Sequence, residues 1–330
     1  MLTSGVLQIE DVRFENHILF EITKHCNYMC KHCFTFSNSR AEEMSTEEVF
    51  SVLEEIAALG IRHITLSGGD PALRDDLPEI VKEVKRLNMT PHVFSTLLKE
   101  DQLKEIKDDV GIFATSLDGP KEVHDNIRSH KGAYEDTISL LGLYKSYGVD
   151  FGIQSMVTPK SRQYIDWLVE KAQESGAHSI RLAHVASQGR GLFNKDIHLD
   201  KKQMDDLYST AMELNNKLGD KLAVFTNMVD INELRSKPNI YKSLTFHVLP
   251  NGDVLPFLGV TDLKLGNLRK ESAYDFMQNL KASKQYHYLT NLIEEIYTKS
   301  IASSSAWVPY EDIRIERFRE TNWAGVTVDL

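Results

Sequence analysis

The strongest constraint on the fold is a regular alternation of short β-type runs with longer helical segments. Six strands are predicted, each followed by a helix or by a loop leading to one, at residues 17–23, 62–69, 91–96, 111–118, 151–157 and 179–185. Repeated βα units of this kind form a parallel sheet covered by helices. Six units are too few for a closed eight-stranded barrel. The sequence therefore predicts an α/β fold with a partial (β/α)6 TIM-like barrel.

The pattern changes after about residue 236. The stretch LTFHVLPNGDVLPFLG, residues 244–259, contains two β-type runs around Asn251-Gly252. Asn-Gly tolerates positive φ and is typical of a β-hairpin turn. We therefore expect an N-terminal extension at 1–17, the partial barrel at 18–235, and a small α+β C-terminal domain at 236–330.

Composition excludes several classes of function. Asp and Glu number 48 against 38 Lys and Arg, and the absence of a basic tract argues against nucleic-acid binding. No signal peptide and no apolar run long enough to cross a bilayer is found, so no membrane association is expected. The chain has 3 cysteines, an odd number confined to one short stretch. This usage favours a reducing, cytoplasmic location over a disulfide-linked secreted fold.

The cysteines lie in HCNYMCKHCF, residues 25–34, with the spacing C-x3-C-x2-C. Three thiolates can bind three irons of a cubane cluster and leave the fourth iron open to another ligand. Zinc is the alternative, because Cys3His sites exist and His25 and His32 are close by. The loop follows the first strand, so we expect it at the carboxyl-terminal face of the barrel, where such folds place their chemistry.

The stretch CNYMCKHCF, followed one βα unit later by SGGDP at residues 67–71, resembles the radical S-adenosylmethionine (SAM) superfamily. The resemblance implies a four-iron, four-sulfur (4Fe–4S) cluster bound by Cys26, Cys30 and Cys33. It further implies that SAM chelates the open iron and is cleaved reductively. The resulting 5′-deoxyadenosyl radical abstracts hydrogen from a substrate.

The same resemblance assigns residues around the cofactors. Tyr28 and Phe34 would shield the cluster and the adenine from water. In SGGDP, which begins at Ser67, the glycines Gly68 and Gly69 would let the backbone approach the methionine amino group of SAM. Asp70 stands where the family usually has Glu. A plain turn is the alternative reading of this segment.

Further SAM contacts are expected after later strands. SLDGPKEVHDNIR, residues 116–128, resembles a segment of the same enzymes and implies Ser116 near the SAM ribose or carboxylate. Arg128 would pair with that carboxylate through two parallel donors; a capped turn with a surface arginine is the alternative. Gln154 is predicted to point into the barrel towards SAM, with an ordinary buried amide as the alternative. Gly189 and Arg190, in SQGRG, resemble a loop that meets the adenine.

The C-terminal segment resembles the SPASM or twitch extension of radical SAM enzymes, in which cysteines bind auxiliary clusters. Phe246 and Phe257 stand near positions where those cysteines are expected, and 300–307 (SIASSSAW) lies near a further one. No cysteine follows Cys33, so a Cys-ligated auxiliary cluster is not expected, because thiolate is what such iron sites select. We expect the phenylalanines to fill the space, with Cys→Ser or Cys→Ala changes as the alternative.

These observations predict a radical SAM enzyme that cross-links or oxidises a ribosomally synthesised peptide. A flavodoxin- or ferredoxin-type protein would donate electrons. The 1–17 extension is too short for a fused leader-binding domain, so that role would fall to the C-terminal domain or to a separate partner. One alternative is a radical SAM enzyme acting on a small molecule such as a tetrapyrrole precursor. Another is a non-catalytic iron–sulfur or zinc protein.

Overall fold

The computed structural model describes residues 8–9, 12–230, 243–256, 263–284, 291, 298 and 307–309. A mixed sheet of 11 strands runs through the described residues. Its first eight strands are β1 (Gln8–Ile9), β2 (Val12–Thr23), β3 (His63–Gly68), β4 (Thr90–Phe94), β5 (Ile112–Ser116), β6 (Phe151–Val157), β7 (Ser179–His184) and β8 (Ala223–Thr226). From β2 to β8 each strand pairs in parallel with the next. The six predicted strands are therefore present and parallel, and β8 extends them.

The C-terminal segment extends the same sheet at its other edge. After β9 (Met228–Asp230), strand β10 (Ser243–Val248) pairs in parallel with β2. The predicted hairpin forms between β10 and β11 (Asp253–Pro256), and β12 (Gly266–Asn267) follows. A separate pair joins β9 to β13 (Trp307–Pro309). The predicted domain boundary at 235–236 falls outside the described residues, but the sheet itself is continuous from β10 into the barrel.

Eight helices of the described residues accompany the strands: α1 (Thr46–Ala58), α2 (Leu77–Arg86), α3 (Glu100–Ile106), α4 (Lys121–Arg128), α5 (Ala133–Tyr147), α6 (Ile165–Ser175), α7 (Lys201–Leu218) and α8 (Ala273–Ala282). A capping box between Ser45 and Glu48 starts α1, as its sequence predicts. Val49, Val52 and Ile56 then lie on one buried face with the spacing of a helix packed on a sheet. None of the helices in this part of the chain has the length and apolar character of a membrane span.

Burial along β2 shows which face of the sheet each residue occupies. Ile18, Phe20 and Ile22 belong to the main apolar core with the helices. Because side chains alternate along a strand, Glu21 and Thr23 lie on the opposite, inner face. Within the described residues β8 does not pair with β10, so the barrel is open. The fold is an α/β partial TIM barrel, and the loops after its parallel strands meet at one end.

Phe246, one of the two phenylalanines that stand near the expected cysteine positions, fills space as predicted. Its side chain is buried and makes an edge-to-face contact with Phe276 of α8, with ring centroids 5.5 Å apart. Phe257 and residues 300–306 lie outside the described residues.

Candidate functional site

The three cysteines lie together in the loop that follows β2. Cys30 is buried in a small apolar cluster with Tyr28 and Ala133, and Cys26 and Cys33 pack against that cluster. The loop itself has no helix or strand from residue 24 to residue 45. Its shape therefore depends on hydrogen bonds from side chains and from the neighbouring loops.

Each cysteine sulfur is faced by an N–H donor. The donors are the backbone amide of Tyr28 for Cys26 (3.4 Å), the NH1 group of Arg128 for Cys30 (3.9 Å) and the backbone amide of Ser37 for Cys33 (3.4 Å). Donors aimed at sulfur favour thiolate over neutral thiol and are one way in which proteins tune iron–sulfur clusters. The surroundings of all three cysteines therefore suit metal-bound thiolates.

Burial affects the three thiols unequally. It raises the pKa of Cys26 to about 12, and it also raises the pKa of Cys30 despite the nearby Arg128. Burial opposes ionisation of Cys33 too, but the charge of Arg190 and the hydrogen bonds of Ser37 lower the pKa of that thiol. In the folded chain Cys33 is thus the cysteine best prepared to act as a thiolate.

Arg190 joins the cysteine loop to the loop after β7. Its Nε donates to the carbonyl of Cys30 at 2.8 Å, and its NH1 and NH2 donate to the carbonyl and Oγ of Ser37 at 2.7 and 2.9 Å. Its backbone amide donates to the carbonyl of Cys33 at 2.9 Å. The structure thus places Arg190 on the cysteine loop, and its predicted contact with the SAM adenine stays a prediction.

Gly189 allows the loop after β7 to approach the cysteine loop. Its φ of +54° is one that side chains disfavour, and a Cβ there would lie 2.2 Å from the carbonyl oxygen of Cys33. On the other side of the loop, Asn38 bonds both the amide and the carbonyl of Cys26 at 2.9 Å. The loop is therefore fixed at each cysteine.

The glycines of SGGDP pack against the backbone that leads into the cysteine loop. A Cβ on Gly68 would lie 2.1 Å from the carbonyl oxygen of Thr23, and one on Gly69 would lie 1.9 Å from that of His25. The amide of Gly69 donates to Thr23 at 2.7 Å. Glycine is thus required here by the contact between β3 and the loop. The predicted approach of this backbone, and of the buried Ser67, to SAM stays a prediction.

Asp70 is buried and fully engaged within the protein. Its carboxylate accepts from Ser95 Oγ at 2.6 Å, from the amide and Oγ1 of Thr96 at 2.8 and 2.9 Å, and from the amide of Ala72 at 3.1 Å. Burial nevertheless raises the pKa of this carboxyl. These bonds join the loops after β3 and β4, and the predicted cofactor contact of Asp70 is untested.

Arg128, at the end of α4, is buried beside the cysteine loop. Its Nε and NH2 donate to the two oxygens of Asp118 at 2.6 and 3.0 Å, which leaves NH1 facing Cys30 Sγ. Although burial opposes ionisation of Asp118, Arg128 holds the pKa of that carboxyl well below its usual range. Ser116, at the end of β5, is buried in the same region. The predicted pairing of Arg128 with the SAM carboxylate would use the side of the guanidinium that Asp118 leaves open.

The remaining predicted residues lie around the same loop. Tyr28 is buried, its hydroxyl donates to Asp136 Oδ2 at 2.7 Å, and its ring lies 4.6 Å from that of His130. Phe34 is half-buried. Gln154 is half-buried on β6, in register with Ser116. The shielding and SAM-binding roles assigned to Tyr28, Phe34 and Gln154 remain predictions.

Two polar groups of this region were not singled out from the sequence. One is Glu21, fully buried on the inner face of β2, whose carboxylate contacts Lys24 Nζ at 2.5 Å and His247 Nε2 at 2.6 Å. An acidic residue inside an apolar strand is the signal that could have indicated it. The other is the pair of Asp118, in SLDG at residues 116–119, and His124, whose ring accepts a hydrogen bond from the amide of Asp118.

The residues fit a 4Fe–4S cluster. The three cysteines, of which Cys30 is buried and Cys26 and Cys33 are half-buried, lie in one loop, face N–H donors and have pKa values that differ with their surroundings. No three His, Cys, Asp or Glu side chains of the described ranges converge on the position of a single metal ion. A cubane does not need such convergence, because each thiolate binds a different iron. His25, one partner of the zinc alternative, is exposed.

Comparison with known proteins agrees with this geometry. Residues 20–172 match the family model described as "Radical SAM superfamily". These residues include all three cysteines, SGGDP and the Asp118–Arg128 pair. Residues 20–172 are therefore a radical SAM domain, a family whose members use a 4Fe–4S cluster and SAM.

The curated relatives include a synthase of Fe-coproporphyrin III and a cyclase of the PqqA peptide. The chain is 28% identical over 213 residues to the Fe-coproporphyrin III synthase of Methanosarcina barkeri, an alignment that covers 62% of this chain and 52% of the relative. The chain thus spans about half the length of that relative. It is 25% identical over 320 residues to the PqqA peptide cyclase of Granulibacter bethesdensis, covering 93% of this chain and 81% of the relative.

A solved structure supports the fold. Streptococcus suis SuiB bound to S-adenosylmethionine superposes with a TM-score of 0.69 at 15% sequence identity, covering 86% of this chain and 69% of SuiB. SuiB has also been solved bound to its precursor peptide SuiA. At this level of identity the similarity establishes the shared fold.

Proposed function

We propose that this chain is a radical SAM enzyme that modifies a ribosomally synthesised peptide by cross-linking or oxidation. The observation that carries the proposal is the loop of three cysteines, one buried and two half-buried, each facing an N–H donor, at the end of the barrel where loops after parallel strands meet. Cys26, Cys30 and Cys33 would hold a 4Fe–4S cluster, which would supply the electron for the reductive cleavage of SAM and so for hydrogen abstraction from the substrate.

The side chains around the loop would serve this chemistry in distinct ways. Tyr28, packed with Ala133, would exclude water from the cysteines. Arg190 and Asn38 would hold the loop in shape through its backbone. The half-buried Phe34 and Gln154 would line the space for SAM and substrate.

A peptide substrate is supported by how much of the chain its peptide-modifying relative matches. The alignment with the PqqA peptide cyclase covers 93% of this chain, whereas that with the Fe-coproporphyrin III synthase covers 62%. The first alignment therefore reaches into the C-terminal segment, whose β10 pairs with β2 at the edge of the barrel. That strand brings His247 to Glu21 on the inner face, where a substrate would enter.

The second candidate function is modification of a tetrapyrrole precursor. It is favoured by the Fe-coproporphyrin III synthase relative, whose 28% identity is the higher of the two. In either case we propose a flavodoxin- or ferredoxin-type electron donor. A reducing, cytoplasmic location is supported by the 3 free cysteines.

The test is 5′-deoxyadenosine release from anaerobically reconstituted protein with SAM and dithionite. One reaction contains the synthetic peptide encoded nearest to the gene, a second contains iron coproporphyrin III, and a third contains neither. We expect release to rise with the peptide and the peptide to change in mass. A rise with the porphyrin alone would assign the second function.

The matched control is the triple variant Cys26→Ala, Cys30→Ala, Cys33→Ala, which should bind no iron and release no 5′-deoxyadenosine. Iron and sulfide are quantified in every preparation. If the unaltered protein holds a complete cluster and still releases none under any condition, it is not a radical SAM enzyme of this kind.

A further inference from the structure

Arg128 approaches Cys30 as one half of a buried ion pair. Asp118 is fully buried, and Arg128 is 6% exposed. The carboxylate takes two of the three guanidinium nitrogens, at 2.6 and 3.0 Å, and also accepts the amide of Met156 at 2.8 Å. The remaining nitrogen, NH1, lies 3.9 Å from Cys30 Sγ. A fork-to-fork pair of this kind fixes the plane of the guanidinium and therefore the direction of NH1.

His124 fixes the backbone that carries Asp118. The amide of Asp118 donates to His124 Nδ1 at 3.0 Å, so that nitrogen carries no proton. The other nitrogen, Nε2, lies 3.4 Å from Thr137 Oγ1, and the Thr137 hydroxyl donates to the carbonyl of Ser116 at 3.1 Å. Nε2 is therefore the protonated nitrogen and donates to Thr137. His124 Nδ1 also lies 3.3 Å from Asp118 Oδ2, so the ring contacts both the backbone and the carboxylate of Asp118.

The two charges of the pair that faces the Cys30 sulfur offset each other, because Arg128 contributes one positive charge and Asp118 contributes one negative charge. Two further cations of this region bind other groups: Arg190 Nε donates to the Cys30 carbonyl at 2.8 Å, and Lys31 Nζ donates to Asn126 Oδ1 at 2.9 Å. If either partner of the pair lost its charge, the other would be left uncompensated next to a cysteine that the proposed function makes a cluster ligand.

We propose that Asp118 is a positioning residue that directs Arg128 NH1 towards Cys30 and offsets its charge, so that the pair sets the reduction potential of the cluster. The proposal rests on the proposed function, because it requires a cluster at Cys30. Reduction adds negative charge to a cluster, so a nearby positive charge stabilises the reduced form and raises the potential. Asp118 limits that rise, and a cluster that must reduce SAM needs a low potential.

The test is the midpoint potential of the cluster, measured by anaerobic redox titration with EPR in the absence of SAM and peptide. The variants are Asp118→Asn, Arg128→Met and the double variant. We expect Asp118→Asn to shift the potential positive and Arg128→Met to shift it negative. Each shift should correspond to at least a tenfold change in the ratio of reduced to oxidised cluster, or 59 mV for a one-electron couple. The double variant should return close to the unaltered protein.

A matched control is Glu83→Gln on α2. Glu83 also accepts two hydrogen bonds from an arginine, Arg86, at 2.7 and 2.6 Å, but both residues lie on α2 and not on the cysteine loop. Its removal should leave the potential unchanged. If breaking any arginine–carboxylate pair changed the potential, Glu83→Gln would change it as well.

The outcomes separate this inference from the proposed function. If the unaltered protein assembles no 4Fe–4S cluster, the proposed function fails. If it does, and single variants shift the potential in one common direction or not at all, the role of Asp118 is overturned. If the Asp118→Asn variant does not assemble a cluster, the proposal is tested by comparing the potentials of Arg128→Met and the double variant, because these two proteins differ only at residue 118. Equal potentials in those two would overturn the proposal.

Discussion

Two arginines that follow the cysteine loop in the sequence contact that loop in different ways. Arg128 comes from α4, faces Cys30 and is paired with the buried carboxylate of Asp118. Arg190 comes from the loop after β7 and donates to the carbonyls of Cys30 and Ser37 and to a hydroxyl. Among the described residues, none of the hydrogen bonds of the Arg190 guanidinium goes to a carboxylate.

The thiols beside the two arginines differ accordingly. Burial raises the pKa of Cys30, and the opposing effect of Arg128 is reduced by Asp118. Burial also acts on Cys33, but Arg190 with two hydroxyl groups lowers the pKa of that thiol. The effect of an arginine on the pKa of a nearby thiol thus depends on whether a carboxylate accompanies the arginine. One arginine primarily balances charge, and the other primarily holds the backbone.

Removing one partner of the buried pair should have the largest effect on stability. Asp118→Ala leaves Arg128 charged and uncompensated, and such changes cost about 3–5 kcal/mol. The double variant Asp118→Ala, Arg128→Met should recover most of that loss, because no buried charge remains. The measurement is urea unfolding of the cluster-free protein under anaerobic conditions. A single variant within about 1 kcal/mol of the unaltered protein would show that the pair is not buried as described.

Glu21 tests whether a buried carboxylate beside a lysine and a histidine behaves like Asp118. Burial opposes its ionisation, but His247 and Lys24 lower its pKa below the ordinary value of 4.5. A carboxyl with a lowered folded-state pKa contributes stability above its unfolded pKa and loses it as the pH falls through the folded value. Glu21→Gln should therefore cost about 3 kcal/mol at neutral pH, with the difference shrinking as the pH falls below about 4.

The measurement is chemical unfolding of both proteins across this pH range. The exposed carboxylate variant Glu54→Gln serves as the control and should differ from the unaltered protein by less than about 0.5 kcal/mol at every pH. A Glu21→Gln difference that grows on acidification would mean that folding raises the pKa of Glu21 instead of lowering it.

Arg190 should affect cluster loading more than the fold. Arg190→Ala removes three charged hydrogen bonds to the cysteine loop, which we expect to cost about 2 kcal/mol because partial exposure lets water replace some of them. Arg190→Lys keeps the charge, but one ammonium cannot match the planar fork. Iron bound per chain after reconstitution should fall in the order unaltered, Lys, Ala. Arg162→Ala, at an exposed pair with Asp206, is the control. Equal loading in the Lys variant would assign the role of Arg190 to charge alone.

Much of the fold could be predicted from the sequence because local patterns determine it. The capping box at Ser45 and the apolar spacing after it fix α1, and the six apolar runs become six parallel strands. The pairing of β10 with β2 could not be predicted, because Ser243 and Arg13 are paired across most of the chain. No local pattern encodes such a long-range register.

The candidate site could be located from the sequence, but the contacts that support it could not. The spacing of Cys26, Cys30 and Cys33 and the glycines of SGGDP indicated two loops, and the structure brings these loops into contact. The contact of Arg190 with the cysteine loop depends on the three-dimensional approach of two loops and has no spacing signal. Likewise, the neighbouring strands β3 and β4 bring ring nitrogens of His63 and His92 to 3.3 Å, a contact that depends on strand pairing.

The smallest expected effect is at Tyr28, which packs beside Cys30 on the Arg128 side of the loop. Tyr28→Phe removes the hydrogen bond to Asp136 but keeps the ring against the cysteines, so it should cost about 1 kcal/mol and leave iron loading intact. Tyr28→Ala removes the ring as well, and its cluster should bleach faster in air. A double-mutant cycle with Asp136→Ala should give a coupling of about 1 kcal/mol with no change in bleaching rate. If Tyr28→Phe bleached as fast as Tyr28→Ala, the hydrogen bond rather than the ring would protect the cluster.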